Sequence, residues 1–311
     1  MYEKLINNME TIIIGKEVVV RRLLIALLAE GHVLIEDVPG VGKTTAAQAL
    51  AKSMDLSFSR VQFTPDLLPS DILGVSVYRR ETYDFVFNKG PIFNQIVLAD
   101  EINRASPKTQ SSLLEAMEER QVTMDGTTYA FDGPFMVVAT QNPIEYEGTF
   151  PLPEAQLDRF LMKIKIGYPD KADEMKIVER MGTRQDISKL ESVLTAEEVD
   201  IMQEKVKQVH ADESIWSYIV DIVRKTRSSD EVLLGCSPRA AVGLLTAAKA
   251  RAYIHDRTYV IPEDVRELAQ DVLAHRLIVK PEIRYKGRSS EQIVQDLLDF
   301  VKVPKVVVHD E

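Results

Sequence analysis

The chain has 311 residues, 45% of them hydrophobic, with 48 acidic side chains against 38 basic ones and a formal net charge of −10. That length and apolar fraction support a large core and two domains rather than one, and the acidic balance counts against a protein that binds nucleic acid by neutralising phosphates. The single cysteine, Cys236, excludes an internal disulfide, and the five histidines show no ligand spacing with it that would suit a protein metal site.

Met1-Tyr2-Glu3-Lys4 opens no charged-then-apolar leader. The longest strongly apolar run nearby, 23–29, falls far short of the roughly 20 residues that a spanning helix needs. A soluble, cytoplasmic chain without a membrane span is expected. Ile13-Ile14-Gly15-Lys16 precedes a helix over 17–29. Two readings stand for Ile14 and Gly15: an apolar shelf for an adenine ring, or plain core packing.

After the strand-like His32-Val33-Leu34-Ile35-Glu36 comes Val38-Pro39-Gly40-Val41-Gly42-Lys43-Thr44-Thr45, then a helical run over 46–52. Gly40 and Gly42 let the backbone curl so that loop N–H groups face phosphate oxygens, and Lys43 reaches the β and γ phosphates as a point charge. Thr44 offers a hydroxyl to Mg²⁺, while the helix starting here turns its positive end toward the same anion. Pro39, Val41 and Thr45 complete the cradle. Asp37 stands where the general pattern G-x-x-x-x-G-K-[ST] has glycine.

The second strong signal is Ile96-Val97-Leu98-Ala99-Asp100-Glu101. Four apolar residues fit a parallel strand buried on both faces, and its carboxyl end is where open α/β sheets bind ligands. Asp100 is expected to hold Mg²⁺ through water, and Glu101 to orient and deprotonate the attacking water. Arg104, close behind, is expected near the site, facing an adjacent subunit. A β-rich excursion over about 75–87 and an alternating segment around Asp125-Gly126, within about 121–131, read as hairpins projecting from the first domain.

Strands are expected near 33–36, 58–63, 96–99, 135–140 and 160–166. Gln141-Asn142-Pro143 follows the fourth. Asn142 is read as positioning the lytic water, against a plain turn-forming Asn before Pro. Arg159, in Leu157-Asp158-Arg159-Phe160, has two readings. It stabilises the γ-phosphate of a neighbouring subunit, or it forms an ordinary ion pair with Asp158 or another acid.

Beyond Tyr168-Pro169-Asp170 helical periodicity takes over, at 171–181, 195–209, 213–226, 238–254, 262–277 and 290–301. The expected organisation is an α/β nucleotide-binding core over 1–167 and an all-helical domain over 168–311. Ser237-Pro238 and Ile261-Pro262-Glu263-Asp264 are helix starts. Arg239 sits in a first turn, where a cation opposes the helix dipole unless an anion lies close; a nucleotide phosphate or an acidic side chain would serve. Trp216, spaced with Ile215, Ile219 and Val220, is read as core.

Six motifs now stand in order: 36–44, 62–71, 100–105, 139–143, 157–160 and Ser237-Pro238-Arg239-Ala240. In them the chain resembles the MoxR family of AAA+ ATPases, over nearly its whole length, and the family tolerates Asp37. The resemblance implies an αβα core with a five-stranded parallel sheet of order 5-1-4-3-2, a helical lid, and a ring, usually a hexamer, with ATP at each subunit interface. It places Asn142 at sensor 1, Arg159 at the arginine finger and Arg239 at sensor 2. It implies hydrolysis of Mg-ATP to remodel or activate partner complexes, commonly with a von Willebrand factor type A domain protein. The segment Ile72-Leu73-Gly74 lacks the aromatic-apolar-Gly loop that threads polypeptides, so local remodelling fits better. The alternatives are a nucleotide-gated scaffold with little turnover and a magnesium-chelatase-like or DNA-remodelling relative.

Overall fold

The computed structural model describes residues 2–38, 40–81, 83–143, 148–180 and 187–304. Helices α1 (Tyr2–Glu10) and α2 (Glu17–Leu28) precede β1 (Val33–Glu36), α3 (Lys43–Ser53) and β2 (Phe58–Gln62). A short α4 (Pro69–Leu73) leads into a hairpin, β3 (Gly74–Arg79) and β4 (Asp84–Lys89), and then β5 (Ile96–Asp100) and α5 (Pro107–Glu119). A second hairpin, β6 (Gln121–Met124) and β7 (Thr127–Ala130), is followed by β8 (Met136–Gln141), α6 (Glu154–Leu157) and β9 (Met162–Ile164). Next come α7 (Lys171–Arg180), α8 (Ala196–Gln208), α9 (Glu213–Arg227), β10 (Val232–Leu234) and α10 (Pro238–Ile254). The last are α11 (Pro262–Leu273), β11 (Ile278–Val279), α12 (Pro281–Tyr285) and α13 (Ser290–Phe300).

The main sheet runs β2-β5-β8-β1-β9. Counting only its strands in chain order and starting from β9, this is 5-1-4-3-2, the order the resemblance implies. β5 and β8 pair with each other and with β2 and β1 in parallel. Ile96–Ala99 and Met136–Ala139 are fully buried. Continuous apolar runs, not alternating ones, are what a central strand covered on both faces requires. β2 lies at the sheet edge, and there Arg60 and Gln62 are exposed polar residues two apart on one face.

Both hairpins form. In the second, Asp125 and Gly126 take φ of 51° and 79°, the two positive values that a tight two-residue connection between twisted strands requires. Phe87 of the first hairpin stacks on Tyr129 of the second, with centroids 4.5 Å apart. Contacts continue from Phe87 through Phe93, Phe131 and Phe135 to His32. The hairpins are thus packed together and onto the base of the sheet.

The chain divides into two compact units. One runs through Arg159 and includes Ile164–Asp200; the other comprises Phe160–Lys163 and the chain from Ile201 onward. The second unit is helical, with one correction: β10 and β11 form a short antiparallel pair. Its α11 is fixed by Asp264, fully buried, which accepts the Ile261 N–H at 2.9 Å and a bidentate pair from Arg257 at 2.6 Å, with Arg251 bonded as well. His275 and Arg276 bond the Phe160 carbonyl at 3.1 and 2.8 Å. Trp216 is a second correction, since it is 51% exposed. On α9 the buried stripe runs through Ile215, Tyr218, Ile219, Ile222 and Val223, which turns Trp216 and Val220 outward onto the neighbouring row.

His32 fastens α5 to β8. The Val137 N–H donates to Nδ1 at 3.0 Å, so the proton must sit on Nε2, which donates to the Met117 carbonyl at 3.2 Å. A second proton would set two N–H groups against each other. Burial lowers the His32 pKa to about 4, with the Met117 carbonyl opposing that and Arg120 adding to it. Because the folded value lies below the ordinary 6.5, the unfolded chain takes up the proton first as pH falls. The stability this ring contributes is therefore whole above pH 6.5 and is lost as pH falls toward about 4. An NMR titration, with His32→Gln to identify the signal, is expected to show a midpoint near 4; one near 6.5 would mean the ring is not held this way.

Candidate active site

β1 feeds a loop whose Gly40 and Gly42 have φ of 84° and 92°. A Cβ at either would meet nothing within 4 Å, so glycine is needed here for the backbone path and not for space. Gly42 caps α3 in the left-handed conformation, and the first turn of that 11-residue helix opens into a cleft of about 400 Å³. Gly40, Gly42, Lys43, Thr44 and Thr45 line it from the loop side. Arg60 and Gln62 line it from β2, Asp100 and Glu101 from β5, and Asn142 from the end of β8. Val41 lies between the two glycines without lining the cleft, and Pro39 falls outside the described residues.

Asp37, the departure from the general pattern, has its own structural task. Its carboxylate accepts the N–H groups of Val38 at 2.8 Å, Ile166 at 2.7 Å and Gly167 at 2.5 Å. Lys16 Nζ donates to the carbonyls of the same Ile166 and Gly167, at 3.1 and 3.0 Å. The loop is thereby tied to the chain leaving β9. Lys43 Nζ donates to the Asp37 carbonyl at 2.7 Å.

Neighbouring residues on a strand point to opposite faces, yet Asp100 and Glu101 share one cleft. The reason is that Glu101 leaves the strand in the left-handed region, φ 58° and ψ 49°. A non-glycine residue there costs about 1–2 kcal/mol and concentrates at functional sites. Thr140 of β8, fully buried, holds the turn from beneath. Its hydroxyl donates to Asp100 Oδ1 at 2.6 Å and accepts the Glu101 N–H at 2.9 Å. The other oxygen, Asp100 Oδ2, is gripped by Arg60 through Nη2 at 2.6 Å and Nε at 3.2 Å. Gln62 Nε2 and Arg104 Nη1 donate to Glu101 Oε2 at 2.8 and 3.0 Å.

The Thr44 hydroxyl and the Asp100 carboxylate are hard oxygen donors of the kind Mg²⁺ takes. Among the described residues, no group of three or more His, Cys, Asp or Glu gathers to hold a metal alone. A divalent cation here would need further ligands from outside the chain, such as phosphate oxygens.

Other expected residues lie elsewhere. Ile14 is half-buried and Gly15 exposed beside the Asp173 carboxylate; neither lines the cleft. Arg159 pairs through Nε with Glu118 of α5 at 3.0 Å, the ion-pair alternative the sequence left open. Arg239 lies in the first turn of α10, in the second unit. Arg60, Gln62 and Thr140 were not anticipated as site residues. The available signal was positional: Arg60 and Gln62 share a face of the strand beside the acid-bearing one in the 5-1-4-3-2 order.

A family model described as "ATPase family associated with various cellular activities (AAA)" matches residues 32–162, and an "AAA lid domain" model matches 224–297. The chain is 42% identical to chaperone MoxR1 of Mycobacterium tuberculosis, over 98% of this chain and 82% of that protein. It is 52% identical to protein YeaC of Bacillus subtilis, over 97% and 94%, and 31% identical to protein MoxR of Methylorubrum extorquens, over 93% and 90%. A crystal structure of a candidate ATPase from Cytophaga hutchinsonii superimposes with a TM-score of 0.91 at 42% identity, covering 97% of this chain and 94% of that one.

Asp37→Gly, which restores the general loop pattern, is expected to weaken the protein. It strands the N–H groups of Ile166 and Gly167, and carboxylate-accepted hydrogen bonds of this kind carry about 1.5–3 kcal/mol each. Thermal unfolding should show a drop of several degrees and nucleotide affinity should fall; an unchanged midpoint would mean the clamp carries no stability.

Proposed function

Because the chain belongs to the MoxR family of AAA+ ATPases, we propose that its cleft binds Mg-ATP and hydrolyses it within a ring of like subunits, to remodel or activate a partner protein complex. The observation that carries the reading is the convergence of a glycine-rich loop, the α3 amino terminus and two adjacent carboxylates on one cleft.

The polyphosphate lies along the loop N–H groups and the positive end of α3. Lys43 exchanges the Asp37 carbonyl for the β and γ phosphates. Mg²⁺ held by Thr44 and Asp100 would neutralise charge on the phosphates when bound. Glu101 orients a water and takes its proton as the water oxygen bonds the γ-phosphorus and the bond to the bridging oxygen breaks, leaving ADP and phosphate. Asn142, 8% exposed at the tip of β8, positions that water. Glu101 must first release Gln62 and Arg104.

Arg159 and Arg239 enter the proposal as contributors from outside the cleft: Arg159 toward a neighbouring subunit's γ-phosphate, Arg239 toward the phosphates from the helical unit. Ile14 and Gly15 offer the shelf for adenine. A hexamer, a von Willebrand factor type A domain partner and a cytoplasmic setting complete the reading; among the described residues no helix is long and apolar enough to cross a membrane. One observation supports a second reading, a nucleotide-gated scaffold: both carboxylates are bonded to side-chain donors, which a water-activating acid would have to give up.

Steady-state hydrolysis against protein concentration, with mass measured with and without ATP, separates the readings. Glu101→Gln should lose at least about 100-fold in turnover while still binding ATP. Arg159→Ala should lose on the order of 10³-fold, and wild-type activity per subunit should rise with assembly. Activity that is flat with concentration and indifferent to Arg159 would remove the shared site, and negligible wild-type turnover with intact ATP binding would leave the scaffold.

A further inference from the structure

The Mg²⁺ reading gives Asp100 a cation to hold, and the chain itself already supplies one. Arg60 reaches across from β2 and covers Asp100 Oδ2 with two donors, while Thr140 occupies Oδ1. Both carboxylate oxygens are therefore committed. We propose that Arg60 is an internal cation that holds the metal position at Asp100 and gives it up when a divalent cation arrives with the nucleotide.

The geometry fits an exchange and not a permanent strut. The Arg60 side chain is 49% exposed and that of Asp100 12%, so the guanidinium can leave for water or phosphate, whereas the buried carboxylate needs another cation to take its place. A metal that carries phosphate ligands supplies that replacement. Arg60 Nη2 also donates to Gln62 Oε1 at 3.1 Å. The guanidinium therefore rests against the residue that holds Glu101, and its departure removes a bond from both carboxylate restraints.

Charge bookkeeping gives the consequence. On the cleft lining Lys43 and Arg60 match Asp100 and Glu101 in number, and each carboxylate is paired with an arginine, Asp100 with Arg60 and Glu101 with Arg104. With both carboxylates engaged, a free divalent cation finds no uncompensated negative charge among these groups. The metal is admitted only with the polyphosphate, whose negative charge both binds the cation and receives the displaced guanidinium. Nucleotide and metal are coupled through Arg60, and the coupling is reciprocal by linkage.

This proposal rests on the nucleotide-site reading, and the experiment keeps the two apart. Binding of Mn²⁺, as a spectroscopically visible substitute for Mg²⁺, is measured by electron paramagnetic resonance on the full chain with and without ATP. The variants are Arg60→Gln, Arg60→Lys, Asp100→Asn and the Arg60→Gln, Asp100→Asn pair. A fluorescent ATP analogue is titrated in parallel with Mg²⁺. Arg60→Gln is expected to raise nucleotide-free Mn²⁺ affinity by about 10-fold, as removal of a full charge beside the site requires, and to shrink the ATP enhancement of Mn²⁺ binding by a similar factor. Arg60→Lys, which keeps the charge without the fork, should lie between. The gain should vanish in the double variant. Unchanged or weaker Mn²⁺ binding in Arg60→Gln, with the analogue still bound by wild type, overturns the exchange alone. Failure of wild type to bind the analogue overturns the nucleotide reading, and the exchange with it.

Discussion

Side-chain alternation along a strand is the constraint around which this site is arranged. β5 is buried on both faces through Ala99, so a regular continuation would send Asp100 and Glu101 to opposite sides of the sheet. The left-handed turn at Glu101 brings them onto one side, and its local cost is met by a single hydroxyl beneath it. Thr140 orients Asp100 and satisfies the Glu101 N–H in one stroke. A valine would fill the same volume and serve neither. The position of β8 beside β5 in the sheet therefore does more than close a core: it carries the hydroxyl that makes a strand end into a pair of convergent carboxylates.

The loop facing those carboxylates is fixed differently. Its glycines give the path, but Asp37 and Lys16 anchor it by bonding complementary groups of the same two peptide units, N–H in one case and carbonyl in the other. Backbone groups bonded on both sides leave little freedom for the loop's base. The groups free to respond to a ligand are side chains, above all Lys43, whose rest position on the Asp37 carbonyl lies within the same loop. A generic pattern marks position 37 for glycine because the backbone turns there. This chain makes the turn without it and uses the carboxylate as a tie.

Periodicity made the fold legible because the elements that build it are long or uniformly apolar. The sequence marks α10 over its whole span and the parallel strands to within a residue or two, most clearly β5 and β8, where burial on both faces calls for continuous apolar runs. The hairpins were legible from Asp125-Gly126 and from alternation. The cleft's loop and acids could be found since phosphate binding restricts residue types at fixed spacing. Contacts that depend on register between strands could not: Arg60 on β2 meets Asp100 on the neighbouring β5, and nothing local to Arg60 announces it. Nor did spacing separate Trp216 from Ile215, because adjacent positions on α9 fall on opposite sides of the boundary between buried and exposed rows. Glu101 and Thr140 share this limit, as the conformation of one and the hydroxyl of the other acquire meaning only once β5 and β8 are neighbours.

The same ion-pair chemistry serves two ends in this molecule, and exposure decides which. Asp264 is fully buried, and Arg251 and Arg257 around it are 12% and 20% exposed. Removing Asp264 there would strand two arginines at once, a loss of several kcal/mol, so that cluster holds α11 in place. Arg60 on Asp100 and Arg104 on Glu101 are pairs of identical chemistry with 49% and 43% of the arginine side chain in solvent. An arginine with this much of its side chain in water is solvated when it leaves, which under the proposed exchange lets it set a position without opposing a polyphosphate and its cation. Strength would be a defect at this place. A buried arginine on Asp100 would leave the carboxylate permanently neutralised, whereas an edge strand, with one face in water, is where the proposed exchange has room to occur. The edge position of β2 is in that sense as much a part of the candidate site as the glycine-rich loop across the cleft.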